Sequence, residues 1–369
     1  MHELEINVEH CRARQRRLLA EMRAKNLDLA IVFKPEHVQW LVGPRFPWLL
    51  DAAALVSIDG RAALVAPRRE PVAAAEDVVT FEANRCSTLR NDQRQACSEA
   101  LAKYLEGRPK PRRIGVEFSI FGPYLADALA AELIDIEPDL YRLRRYKHPD
   151  ELARLKKAIA GTGAMYAKAR EIIEPGINEL EVFNQLQAVA VREFGEMLTG
   201  TGNDYACGEK GGSPRDRQAQ DGELYILDLG PAFRGYFADN CRAIAVNGRP
   251  TDVQYAAWEQ LAQVFPLVER TVKPGVSCRQ FYGKVKSKLD EFLPGNFDHH
   301  LGHGIGLFPH EAPHLNPRLE WDDVFEEGDV FTVEPGLYTP EMRAGIRLEN
   351  DYLVTAKGVE LLSDFPLEL

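Results

Sequence analysis

Apolar and polar positions alternate in two different ways along this chain. Over the first ~145 residues, short apolar runs are interleaved with amphipathic stretches. LDLAIVF (27–33) reads as a buried strand, and DVVTFE and RIGVE as two more. ALVSIDGRAALVAP (54–67) predicts a hairpin turning at Asp59-Gly60, since Asp-Gly tolerates the positive φ of a tight turn. GPYLADALAAEL (122–133) has helical apolar spacing, and the opening segment predicts an amphipathic helix with Leu18, Leu19 and Met22 inward. The pattern then changes. Pro149 followed by Asp150 and Glu151 opens a long helix with apolar residues at 152, 155 and 159. A domain boundary at about residue 145 follows, giving domains 1–145 and 146–369.

The second part repeats itself. IEPGINELEVFNQL (173–186) is answered by VKPGVSCRQFYGKV (272–285), each an apolar residue, a Pro-Gly stop and an amphipathic helix. GELYILDLG (222–230) is answered by GDVFTVEPG (328–336), so that Glu334 stands where Asp228 stood 106 residues earlier. Apolar runs bounded by turns are expected to bury, and a buried unpaired carboxylate is costly. Two half-domains related by an approximate two-fold would set Asp228 and Glu334 facing each other across something positive.

Composition narrows the partners. The net charge of −11 and pI near 5.4 argue against nucleic acid and anionic membranes. No apolar run approaches the ~18–20 residues of a bilayer span, and the first residues lack the apolar core of a signal peptide. Six scattered cysteines without a CxxC read as reduced structural thiols of a cytoplasmic protein.

Other polar residues interrupt apolar stretches near the repeated carboxylates. Asp239 follows Asp228 by eleven residues, on a neighbouring strand joined by a turn around Gly235. His303 lies in HHLGHGIGLFPHEAP, whose glycines permit close backbone approach, and His310 follows seven residues later. Glu349 lies in GIRLENDYLVT with Arg347 two residues before it. Four carboxylates and an imidazole at one point cannot all stay ionised without compensation, which divalent cations supply. Bridging carboxylates suit two ions about 3.5–4 Å apart, a pair that activates water and polarises a carbonyl. The oxygen-rich set favours Mn²⁺, Co²⁺ or Fe²⁺, with Zn²⁺ also compatible. His299, His300 and His314 are expected to be structural or surface residues.

The ordered motifs DLGPAFRGYFADN, GHGIGLFPHEAP, TVEPG and RLEND resemble the pita-bread metallopeptidase family (M24), in its aminopeptidase P and prolidase branch. The resemblance implies an α+β two-domain fold: an N-terminal mixed α/β creatinase-like domain, then a C-terminal pita-bread domain with an internal pseudo-two-fold. It implies metal ligands at Asp228, Asp239, His303, Glu334 and Glu349, the second aspartate and last glutamate bridging. Glu334 would shuttle a proton, His310 would stabilise the oxyanion, and Arg347 would orient Glu349 and contact substrate. It implies hydrolysis of short peptides of Xaa-Pro type by a homodimer.

One departure stands out. The proline-directed branch carries a further histidine some seventeen to eighteen residues before the first aspartate; here that position falls near Gly211, and no histidine lies between His148 and His299. Lys210, Arg215 or a substrate-contacting His37 are the candidate replacements. A non-peptide small-molecule C–N bond is therefore the alternative substrate. The intact ligand set weighs against a metal-free creatinase-like site and against a non-catalytic binding protein.

Overall fold

Contacts divide the chain into two compact units, Met1–Arg144 and Arg145–Leu369. The computed structural model describes residues 2–47, 49–202 and 204–369.

The first unit is built on a six-stranded mixed sheet. Its strands are β1 (Leu29–Val32), β2 (Ala53–Ser57), β3 (Ala62–Ala66), β4 (Asp77–Thr80), β5 (Arg113–Val116) and β6 (Glu132–Asp135), in spatial order 4-3-2-1-5-6. The β2–β3 hairpin turns at Asp59-Gly60, where Gly60 N–H donates to the Ser57 carbonyl at 2.8 Å. Helices α1 (Val8–Ala24), α2 (Pro35–Val42), α3 (Gln93–Leu105), α4 (Pro123–Leu129) and α5 (Glu137–Arg144) complete the unit. Leu18, Leu19 and Met22 of α1 are buried as their spacing predicts. Ile31, Leu55, Val65, Leu101 and Val116 form one apolar cluster, and each such side chain stabilises the fold by about 1.5–3 kcal/mol.

The helix expected over 122–133 is shorter. It stops at Leu129, Ala130 takes a left-handed conformation (φ 43°), and Glu132–Asp135 pairs in parallel with β5 at the sheet edge. Edge pairing overrides the local helical pattern there.

The second unit is the repeated one. Helix α6 (Pro149–Ile172) leads into α7 (Glu179–Phe194), then the antiparallel pair β7 (Leu224–Leu229) and β8 (Asn240–Ala245). Helices α8 (Asp252–Ala262), α9 (Val264–Thr271) and α10 (Cys278–Phe292) follow. The last strands are β9 (His303–Gly304), β10 (Glu311–His314), β11 (Val330–Val333), β12 (Asn350–Thr355) and β13 (Gly358–Leu361), in order 10-9-11-12-13. Side-chain caps start both repeat helices, Asn178 on α7 and Ser277 on α10. Val182, Leu186 and Ala190 on the first are matched by Phe281, Val285 and Leu289 on the second. The strand pairs correspond in outline, both antiparallel and each second strand opening on an asparagine, with Leu229 facing Asn240 and Val333 facing Asn350, a register two residues apart relative to Asp228 and Glu334.

Strand β7 is buried on both faces. Leu224 and Ile226 pack into one core, while Tyr225, Leu227 and Leu229 pack into another. Truncating one such leucine to alanine costs about 2–5 kcal/mol. Asp228 continues the Leu224/Ile226 side, so the strand that anchors both cores also aims a carboxylate. Among the described residues, no helix is long and apolar enough to cross a membrane.

Candidate metal centre

The paired strands deliver their acids at matching places. Asp228 is the penultimate residue of β7 and Glu334 directly follows β11. Asp239 and Glu349 immediately precede β8 and β12. A backbone bond from Glu349 N–H to the Cys241 carbonyl (2.9 Å) ties the two halves together beside these acids, and Asn240 Nδ2 donates to the Glu349 carbonyl at 2.7 Å.

His303 arrives on β9, where the chain is squeezed. A side chain at Gly304 would place its Cβ 2.1 Å from the Ala312 carbonyl oxygen, and one at Gly302 (φ 154°) would lie 2.0 Å from that of Thr332. Glycine at both positions lets the imidazole enter between strands. His303 Nδ1 donates to the Gly304 carbonyl at 3.1 Å, which leaves Nε2 as the ligand atom. That nitrogen lies 3.4 Å from Glu334 Oε1 and 3.6 Å from Asp239 Oδ2. The His310 ring stacks on His303 with centroids 3.7 Å apart and planes 15° apart.

Three groups of donors are close enough to hold an ion, with ligand atoms within 4.8 Å of one another: Asp228/Asp239/Glu349, Asp239/His303/His310 and His300/His303/Glu334. Asp239 belongs to the first two and His303 to the last two. All the expected ligands thus fall within these linked groups. Asp239 is shared by two of these donor groups, whereas Glu349, also expected to bridge, belongs to one.

The electrostatics of the protein alone are unbalanced. Burial pushes the Asp239 and Glu349 carboxyls well above the usual range, and repulsion from neighbouring acids adds to it. Burial also raises Asp228, against the pull of Arg347. Glu334 behaves oppositely: burial pushes it up, but the His300 hydrogen bond and charge, with the charge of Arg347, outweigh this and hold it at about 2. Burial depresses His303 to about 3, so its ring is neutral and able to ligate. Glu349 Oε2 is buried with no hydrogen-bond partner among the described residues. A buried carboxylate oxygen left open at the meeting point of three other acids fits a divalent cation, with oxygen and one nitrogen as donors.

Two placements differ from expectation. Arg347 hydrogen-bonds Asp228 Oδ2 (2.8 Å) and Asp204 Oδ2 (2.6 Å), with further bonds to the Lys210 carbonyl and the Tyr338 hydroxyl, and none to Glu349 among the described residues. His299 and His300, expected to be structural or surface residues, both line the cavity. His300 Nε2 lies 2.8 Å from Glu334 Oε1, and His299 Nε2 lies 3.0 Å from the Tyr338 hydroxyl. His314 instead pairs with Asp323. His300 and His303 are three apart, which an extended chain would send to opposite faces; both nevertheless reach Glu334, with Gly302 (φ 154°) between them. Asp204 carried no signal, because its partner Arg347 is distant in sequence.

The candidate replacements for the absent histidine separate. Arg215 is committed to Glu179 (2.7 Å). Lys210 lines the cavity. His37 belongs to the first unit, where it is wholly buried on α2 with Nδ1 2.5 Å from Glu117 Oε1 and its ring against Tyr141. The cavity itself encloses about 490 Å³.

Comparison with known proteins gives two family matches. Residues 153–356 match the model of metallopeptidase family M24, and residues 14–146 that of the creatinase/prolidase N-terminal domain. An uncharacterized peptidase of Bacillus subtilis is 29% identical over 268 residues, 70% of this chain and 74% of that protein. An uncharacterized peptidase of Staphylococcus aureus is 26% identical over 362 residues, 95% of this chain and 98% of that protein. Among solved structures, an Xaa-Pro dipeptidase from Bacillus anthracis superposes with a TM-score of 0.82 at 24% identity, covering 98% of this chain and 99% of that one. The prolidase from Pyrococcus furiosus superposes with a TM-score of 0.78 at 23% identity, covering 94% and 99%. At that identity the superpositions establish the fold.

Proposed function

We propose, on the premise that this chain belongs to metallopeptidase family M24, that it hydrolyses short peptides of Xaa-Pro type with two divalent ions, Mn²⁺ foremost. Asp228, Asp239, His303, Glu334 and Glu349 would hold them. The observation that carries this reading is the linked donor groups that share Asp239, together with the open Glu349 oxygen. When bound, the ions would supply water activation and carbonyl polarisation.

The chain's own residues do the rest. Glu334, ionised at neutral pH, accepts the proton of the attacking water and returns it to the leaving nitrogen. His310, held flat against His303, donates a hydrogen bond to the developing oxyanion. Arg347 fixes Asp228 and the loop bearing Lys210, so its role here is to position. The burial of His37 and its bond to Glu117 weigh against a substrate role for that residue. We place the protein in the cytoplasm as a homodimer. Its six cysteines, all unpaired, support the first; sedimentation tests the second.

A second reading keeps the metals and changes the substrate to a non-peptide C–N bond. It is favoured by one observation: a side chain at position 211 would put its Cβ 2.3 Å from Asp204 Oδ2, so a carboxylate holds the space beside that glycine. The deciding experiment is hydrolysis by Mn²⁺-loaded protein of Xaa-Pro dipeptides, Xaa-Pro-Yaa tripeptides and proline-free controls, with Asp228→Ala as the check for contaminating peptidase. Metal-dependent cleavage of the proline peptides is expected. No cleavage by metal-loaded protein would favour the second reading.

A further inference from the structure

Six carboxylates line the cavity, and against them stand only two lysine or arginine side chains among the described residues, Arg347 and Lys210. Both terminal nitrogens of the Arg347 guanidinium are engaged: Nη2 serves Asp204 and Asp228, and Nη1 serves the Lys210 carbonyl and the Tyr338 hydroxyl, while Nε is buried without a partner among the described residues. Lys210 is different. Its ammonium has no acidic partner among the described residues and lies 4.6 Å from the centre of the Tyr338 ring, a cation–π placement. A lysine in a site this acidic would be expected to reach a carboxylate, and this one is held at the wall instead.

The holding is local and specific. Arg347 pins the Lys210 carbonyl at 2.9 Å, and Asp204 Oδ1 accepts from Gly212 N–H at 2.7 Å two residues on. Gly211 between them has no room for a side chain. Tyr338, on which the ammonium rests, is itself fixed by His299 at 3.0 Å. The loop therefore presents one preplaced, uncommitted cation to the cavity.

A peptide is a zwitterion. With five of the lining residues given over to the ions, its ammonium end is drawn to the remaining acids, Asp204 and Asp298, and its carboxylate end has one uncommitted side-chain cation to meet. The geometry points to Lys210 as the residue that binds the substrate's free α-carboxylate, making this a site for peptides short enough to put that carboxylate in the metal cavity. This rests on the peptidase reading and deepens it, since it selects di- and tripeptides with a free C-terminus over longer or amidated ones. Lys210 acts as a specificity determinant; it takes no part in bond breaking.

The test uses full-length, Mn²⁺-loaded protein and an uncleavable probe: Ala-Pro with the scissile amide reduced to CH₂–N, and the same molecule with a C-terminal carboxamide. Calorimetry on wild type is expected to show at least tenfold tighter binding of the acid, weakening as salt is raised. Lys210→Met should bring the acid-to-amide ratio within twofold, and Lys210→Arg should keep it above fivefold. Equal binding of acid and amide by wild type would overturn the proposal. So would an unchanged ratio in Lys210→Met, or no binding of either probe. Ala-Pro turnover is measured in parallel. Absence of turnover with the binding pattern intact would sink the peptidase reading and leave the carboxylate site standing.

Discussion

In the first half of the second unit, Asp228 sits one residue short of its strand end and takes a guanidinium, that of Arg347; in the second half, Glu334 follows its strand directly and takes an imidazole, that of His300. The frames match in outline, each an antiparallel pair whose second strand opens on an asparagine, but the registers differ by two residues: Asp228 faces Cys241, while Glu334 falls just past the Val333/Asn350 pair. The electrostatics do not match. Burial pushes both carboxyls up, but among acidic neighbours Asp228 stays raised, while His300 and Arg347 bring Glu334 to about 2. The repeat supplies positions, and unrepeated loops supply roles. Asp204 comes from the segment before β7 and His300 from the segment before β9, and they have opposite chemistry. One half thus offers an acid-rich pocket for a cation, and the other an ionised carboxylate ready to take a proton.

Breaking what the halves share should have the largest effect. Asp239→Asn removes the donor common to two of the ion-holding groups. We expect kcat/KM on Xaa-Pro peptides to fall by more than about 10²-fold, beyond what loss of an outer partner costs, with less bound metal by elemental analysis. A variant that keeps full metal content would break the idea of a shared donor. Next comes the partner of the first half. Arg347→Met leaves Asp204 and Asp228 facing each other without a cation, and urea denaturation of metal-free protein should show a loss of about 2 kcal/mol. Added Mn²⁺ should restore part of it, and no loss would mean that the guanidinium does not stabilise this half.

The partner of the second half should matter less. His300→Ala should weaken metal binding by about tenfold through a looser Glu334, with Asp228 unaffected. Equal weakening of both ions, followed by titration calorimetry, would erase the distinction between halves. The smallest effect is a background that any pH study of either half must subtract. In the first unit Glu137 is pushed up by burial, but its bonds from Lys34, Tyr141 and Ser119 prevail and hold it at about 2 instead of 4.5. A depressed carboxyl stabilises the fold above its unfolded value, so this contribution is complete above pH 4.5 and is lost as pH falls toward 2. Glu137→Gln should flatten that part of the denaturation profile; an unchanged slope between pH 5 and 3 would count against it.

Much of this frame is legible before any coordinates. Strand β7 reveals itself because an apolar run between turn residues that contains a carboxylate is rare, and its echo at β11 reveals the duplication. Helix α6 is marked by Pro149 and the acids after it. What escapes the sequence is what depends on non-local geometry. The 122–133 segment looks helical until an adjacent strand offers its edge to Glu132–Asp135. His300 looks like a surface residue until the fold brings it onto Glu334, 34 positions away. Arg347 has a carboxylate two residues away and ignores it for Asp228 and Asp204, because the short Ile346–Arg347 strand pairs with Gly336–Leu337 and Arg347 reaches across to the first half. Asp204 has no periodicity or spacing to single it out.

The central claim is that two equivalent strand pairs together cage two ions. Its most direct test is the equilibrium Mn²⁺ stoichiometry of full-length protein, measured by metal analysis after dialysis alongside Asp228→Ala and Glu334→Ala. Two ions per chain in wild type, with fewer in each variant, is the predicted result. One ion or none in wild type, or a stoichiometry that neither substitution changes, would contradict it.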